Sequence, residues 1–157
     1  MKCITLTALT LVTVASSLVF TSCKKDKDDP KPKSKTELLT AKNWRLSAAT
    51  SVIGPITIDV YAAQDACDKD DFLKFNTNKS LIFDEGLTKC DLRDPQSITG
   101  AWDLTVNDTK LKMQETSNPA SAEVYDVVEI SASTLKIKQT TSSGGATETQ
   151  SLTFTAF

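Results

Sequence analysis

Apolar residues recur at every second position along much of this chain, in short runs separated by turn-forming residues. Trp44, Leu46 and Ala48 share one parity, with Arg45 and Ser47 between them. Ile56, Ile58 and Val60 repeat the pattern, followed by Leu73 and Phe75, Leu81 and Phe83, and Trp102, Leu104 and Val106. Leu111 and Met113 alternate with Lys110, Lys112 and Gln114, Leu135 and Ile137 with Lys136 and Lys138, and Leu152 and Phe154 end the series. Val124, Val128 and Ile130 form a further run, with Tyr125 and Val127 on its other side. A period of two sends alternate side chains to opposite faces of an extended strand, so each run predicts a half-buried β-strand. Asn76-Thr77-Asn78-Lys79, Asn107-Asp108 and Ser142-Ser143-Gly144-Gly145 predict tight turns between them. No long helical period intervenes, which argues against parallel βαβ units. Consecutive hairpins predict an all-β domain, a small antiparallel up-and-down β-barrel of about eight strands. A β-sandwich satisfies the same alternation and is the alternative. One short helix is expected near 36–40, where Ser34-Lys35-Thr36-Glu37 has the spacing of a capping box and Leu38 and Leu39 follow.

The N-terminus carries a different pattern. Met1-Lys2 precedes an apolar segment from Ile4 to Phe20, then Thr21-Ser22-Cys23; this is the layout of a secretory signal. At about 17 residues the segment is at the short limit for crossing a bilayer, and it is rich in Thr and Ser. The position of Cys23 resembles a bacterial lipoprotein signal, with Phe20 where Leu is usual. The resemblance implies cleavage after residue 22 and palmitate-type acylation of Cys23. Stable anchoring in a membrane requires more than one acyl chain, and a multiply acylated cysteine supplies them. Residues 24–35 contain no apolar side chain other than two prolines, so they predict an extended tether without a core of its own. A Lys- and Asp-rich stretch after the lipidated cysteine resembles the signal that sends Bacteroidota lipoproteins to the outer face of the outer membrane. The expected organisation is therefore a signal peptide over 1–22, a lipidated tether over 23–35 and a barrel domain over 36–157. The expected location is the outer membrane, lipid-anchored and surface-exposed, with a periplasm-facing orientation as the alternative.

Composition narrows the chemistry. The formal net charge is −2, and no basic surplus points to nucleic acid. Histidine is absent, which removes the commonest general base and the commonest zinc ligand. Of the four cysteines, Cys3 leaves with the signal and Cys23 takes lipid. Cys67 and Cys90 remain, and in an oxidising compartment a disulfide is the expected state. A Cys-x-x-Cys redox motif is absent. As a structural staple, the bridge would contribute on the order of 3 kcal/mol by loop entropy.

Several segments carry a family resemblance: Cys67-Asp68-Lys69-Asp70-Asp71, Phe75-Asn76, Asp84-Glu85-Gly86-Leu87-Thr88-Lys89-Cys90-Asp91, Gly100-Ala101-Trp102, and the stretch from Leu39 to Trp44. On these, residues 38–157 resemble the lipocalin-like domain of small Bacteroidota lipoproteins. The Gly of the lipocalin Gly-x-Trp pattern is replaced by Lys42. The resemblance implies a small eight-stranded barrel, and most such domains have no established activity.

Candidate functional residues follow from these readings. Trp44, Phe75, Phe83, Trp102, Tyr125 and Phe154 are the candidate pocket lining, since a barrel of this size has room for one small ligand at most. Asp65, Asp68, Asp70, Asp71, Asp84 and Glu85 form an acidic cluster. It lacks the central Gly of an EF-hand loop, and Lys69 interrupts it, so no metal is expected. No cofactor is expected either. Gly-x-Ser-x-Gly is absent, and no histidine can serve a nucleophile as base. An enzyme is therefore not expected; a turnover lost on mutating Asp70 or Asp84 would reverse that reading. The expected function is a membrane-anchored binding module. It would take a small apolar ligand in the barrel, or a partner on the rim loops 61–71, 85–98 and 114–122. A structural or accessory envelope protein with a filled core is the alternative.

Overall fold

The computed structural model describes residues 31–157. Cys23 and the signal segment lie outside the described residues, as does most of the tether. Helix α1 spans Lys35–Thr40. Its start is set by the expected capping box: the Glu37 amide donates to Ser34 Oγ (3.2 Å) and the Ser34 amide donates to Glu37 Oε2 (2.7 Å). These two bonds satisfy amides that the first turn leaves without partners. Leu39 turns inward and is fully buried.

Nine strands follow: β1 (Asn43–Ile53), β2 (Ile56–Asp59), β3 (Phe72–Phe75), β4 (Ser80–Asp84), β5 (Ser97–Thr105), β6 (Lys110–Glu115), β7 (Glu123–Ile130), β8 (Thr134–Ser143) and β9 (Ala146–Ala156). From β3 to β9 each strand pairs antiparallel with the next, β3 pairs with β1, and β9 returns to pair with β1. Eight strands thus close an up-and-down barrel, and the sandwich alternative is excluded. The β1–β3 seam is narrow, only Asn43 to Arg45 against Lys74 to Phe72. It is reinforced from outside. The Phe157 amide donates to the Asn43 carbonyl (3.1 Å), the Arg45 guanidinium lies 4.3 Å from the centre of the Phe157 ring, and Phe72 meets that ring edge-on.

The floor of the barrel holds the closest packing. Trp44 is fully buried, and its indole Nε1 donates to the Leu39 carbonyl at 2.8 Å, which fastens the helix across that end. Trp102 Nε1 donates to the Asn76 carbonyl (3.0 Å), and the Phe75 and Trp102 rings meet edge to face at 5.5 Å. Leu81, Leu111, Leu135 and Ile137 complete the layer.

The strand pattern departs from strict alternation at two bulges and at one hairpin. A register shift lies between Leu46 and Ala48. Beyond it the odd residues face inward, so Ala49 is buried and Ala48 is exposed, contrary to the expected Trp44-Leu46-Ala48 face. A second shift lies between Val127 and Glu129. Tyr125, Val127 and Ile130 pack on the core, whereas Val124 and Val128 are 46% and 58% exposed. An extra residue inverts the parity of everything after it, and periodicity alone does not reveal it. The third departure is β2, which pairs only with the end of β1, Thr50 to Ile53. It lies beyond the barrel, no opposing sheet covers it, and Ile56 and Ile58 are exposed. Val106, expected at the end of a strand, belongs to the β5–β6 turn. Val106, Asn107 and Asp108 all have positive φ (52°, 55° and 59°), a region that costs a β-branched residue steric strain.

Candidate functional site

The end of the barrel opposite α1 is open. It is formed by the C-terminal halves of β1, β4, β6 and β8 and the first residues of β3, β5, β7 and β9. The three expected rim loops gather there, running between the strands over 60–71, 85–96 and 116–122. Two are bound together. The Cys67–Cys90 disulfide links them across a sequence separation of 23, and Asp70 Oδ2 accepts the amides of Leu87 and Thr88, both at 2.9 Å. Gly86 makes this fit possible. Its φ is +66°, and a Cβ there would lie 2.4 Å from the Asp70 carbonyl oxygen. Asp84 Oδ1 accepts the Gly86 amide and Gln96 Nε2, both at 3.0 Å. Asp70 and Asp84 are therefore loop-capping residues. Asp68 lies close to both cysteine sulfurs, but those sulfurs are bonded to each other and neither is the thiolate a metal requires.

Within the mouth lie two adjoining cavities. One, of about 270 Å³, is lined by Trp44, Leu46, Leu73, Phe83, Ile98 and Phe154, with Gln64, Asp68, Asp71, Asp84 and Glu85 toward the rim. The other, of about 340 Å³, shares Leu73, Phe83 and Phe154 and adds Met113, Tyr125 and Leu152, with Glu115 and Glu123 among its polar groups. Gly100 shapes the shared wall: a Cβ there would lie 2.9 Å from the Phe83 ring and 2.3 Å from the Gln114 carbonyl oxygen. Four of the six expected pocket residues, Trp44, Phe83, Tyr125 and Phe154, do line these cavities. Phe75 and Trp102 do not. They are used up in the floor, where the two rings pack against each other. Leu46, Leu73 and Leu152 were missed because an aliphatic residue at strand period reads as core.

Electrostatics at the mouth are one-sided. Asp71 Oδ1 is buried without a hydrogen-bond partner. Burial, and then the nearby Glu85, Asp68, Asp70 and Asp84, push the Asp71 pKa up to about 6. Across the mouth the Tyr125 hydroxyl donates to Glu123, and burial and this bond push the Tyr125 pKa up. On the outer wall, by contrast, carboxylates are paired: Lys79 with Asp103 (2.9 Å), Lys110 with Asp126 (2.6 Å) and Lys136 with Glu129 (3.6 Å).

Eight antiparallel strands in sequence order, closed first to last, with a helix across the floor and an open mouth opposite, are the arrangement of a lipocalin-type barrel. No family model and no curated protein matches the chain. Among solved structures, the chain is similar to a lipocalin-like protein from Bacteroides uniformis, at 15% identity and a TM-score of 0.49, over 76% of this chain and 99% of that one.

Proposed function

We propose that residues 36–157 are a binding module that takes a small, largely apolar ligand through the open end of the barrel. The observation that carries this reading is the pair of cavities sharing Leu73, Phe83 and Phe154. Each is near the lower end of the size range of about 300–1,000 Å³ that is usual for ligand sites. The lipocalin-like barrel closed at one end supports the same reading, because it offers a concave apolar surface with a single approach. The module is read as a binder and not as an enzyme. The chain has no histidine, and the carboxylates that first invite a catalytic reading, Asp70 and Asp84, already cap loop amides.

The module would be carried on a membrane by acylated Cys23 and the tether through residue 35, at the outer membrane and facing the cell surface. Metabolic labelling with an alkyne-bearing palmitate tests this. Label lost in Cys23→Ser supports the anchor, and label absent from the unaltered protein removes it.

A second reading, an accessory envelope protein that docks a partner, has one observation in its favour. Ile53, Ile56 and Ile58 lie exposed on one face of the β1–β2 hairpin beyond the barrel. Native mass spectrometry of the oxidised full chain, after incubation with a lipid and metabolite extract, separates the two readings. A retained small molecule of defined mass supports the cavity reading. A bare protein mass rejects it in favour of the second.

A further inference from the structure

The walls of the mouth divide by chemistry. Its depth is apolar, with Leu46, Leu73, Phe83 and Phe154. Its rim carries Asp68, Asp71, Asp84 and Glu85 around one cavity and Glu115 and Glu123 beside the other, and no Lys or Arg is among the residues lining either. The hydrogen bonds these carboxylates do receive come from neutral donors: the Gly86 amide and Gln96 for Asp84, and the Tyr125 hydroxyl for Glu123. Two lysines of the rim loops are engaged elsewhere. Lys69 lies 5.3 Å from the centre of the Tyr61 ring, and Lys89 donates to the backbone carbonyls of Leu92 and Asp94.

Like charges held at the lip of a low-dielectric cavity focus a negative potential into it. Burial first, and then the neighbouring carboxylates, raise the Asp71 pKa. A cation placed there would relieve it, and an anion would add to it. An apolar chain ending in a carboxylate therefore meets a favourable wall and an unfavourable rim, whereas one ending in a protonated amine finds both favourable.

We propose that the barrel selects amphiphiles with a cationic amine head, seated among Asp71, Asp84 and Glu85, with the apolar part against Phe83 and Phe154. This rests on the cavity reading above and adds the chemical class of the ligand.

Three probes with the same tail test it: octylammonium, octanol and octanoate, titrated calorimetrically into the oxidised full chain. The expected order is octylammonium tightest and octanoate weakest, with a gap between the two of about tenfold or more. Salt raised to about 0.5 M narrows the gap, because the rim is solvent-accessible. The double variant Asp71→Asn, Glu85→Gln brings octylammonium close to octanol and leaves octanol unchanged. Both replacements remove a repelling charge and keep the side-chain shape, and a circular dichroism melt checks that the fold is retained. Should the double variant not fold, the salt titration on the unaltered chain decides.

Equal binding of the two ions, with octanol also bound, overturns the cationic preference and leaves the cavity reading standing. A preference for octanoate does the same. A gap that survives the double variant in full overturns the placement of the head. If none of the three binds, the cavity reading itself fails.

Discussion

At the floor of the barrel, Leu39 and Trp44 are fully buried and the Trp44 indole proton is given to the Leu39 carbonyl. At the mouth, Leu73 and Phe83 are only partly buried, and Asp71 has a buried oxygen with no partner. The same strands run through both ends, so the contrast comes from which residues their ends carry and from what covers them. Helix α1 covers one end. At the other, two loops joined by a disulfide hold the rim. Stability is concentrated where polar groups are satisfied and packing is dense. Unpaired charge and open volume are concentrated where a ligand would enter.

The largest expected effect tests the contrast directly. Trp44→Ala should lower the unfolding free energy by about 3–5 kcal/mol, the usual cost of removing a buried aromatic ring. Phe83→Ala should cost clearly less, because part of its surface already faces open volume. Urea denaturation of both variants measures the difference, and equal losses would mean that the mouth is packed like the floor.

Next in size is the rim staple. Replacing Cys67 and Cys90 with serine should cost about 3 kcal/mol by loop entropy. The loss should appear with no reducing agent present, and adding a reductant should bring the unaltered protein down to the same level.

Asp71 predicts a pH dependence. Its pKa is raised in the fold from 3.8 to about 6. Well below pH 3.8 the group is neutral in both folded and unfolded chains and exerts no penalty. As pH rises from about 4 through 6 the unfolded chain gives up its proton more readily, so the fold loses stability from this group. Asp71→Asn should therefore be as stable as the unaltered protein near pH 3.5 and more stable at pH 7. Thermal melts across that range compare the two, and a variant less stable at pH 7 would show that the carboxylate is favourably placed after all.

The smallest effect belongs to the floor-side turn. Val106 has a φ of +52°, and asparagine tolerates that region better than a β-branched residue. Val106→Asn should gain up to about 1 kcal/mol and leave the mouth unaffected.

Much of this architecture was legible from alternation alone, because side-chain parity is the direct imprint of a half-buried strand. The capping box at Ser34 and Glu37 and the Cys67–Cys90 pairing were legible too. Each is a local or compositional signal that needs no knowledge of the fold. What stayed hidden depended on tertiary closure. Bulges after Leu46 and Val127 invert which residues are buried, and nothing in the local sequence marks them. Ile56 and Ile58 alternate like core residues, yet their strand pairs beyond the barrel and remains uncovered. The acidic cluster over 65–71 and 84–85 was visible in sequence. Its joining by Glu115 and Glu123 from other strands was not, because only the closed barrel brings them to one mouth.

The most direct test of this division is a nitrogen-15 correlation spectrum of the full chain titrated with octylammonium. Shifts are expected at Leu73, Phe83, Asp84, Glu85 and Phe154, with Leu39, Phe75 and the Trp102 indole almost unmoved. Shifts spread evenly over both ends, or confined to the exposed isoleucines of the β1–β2 hairpin, would contradict it.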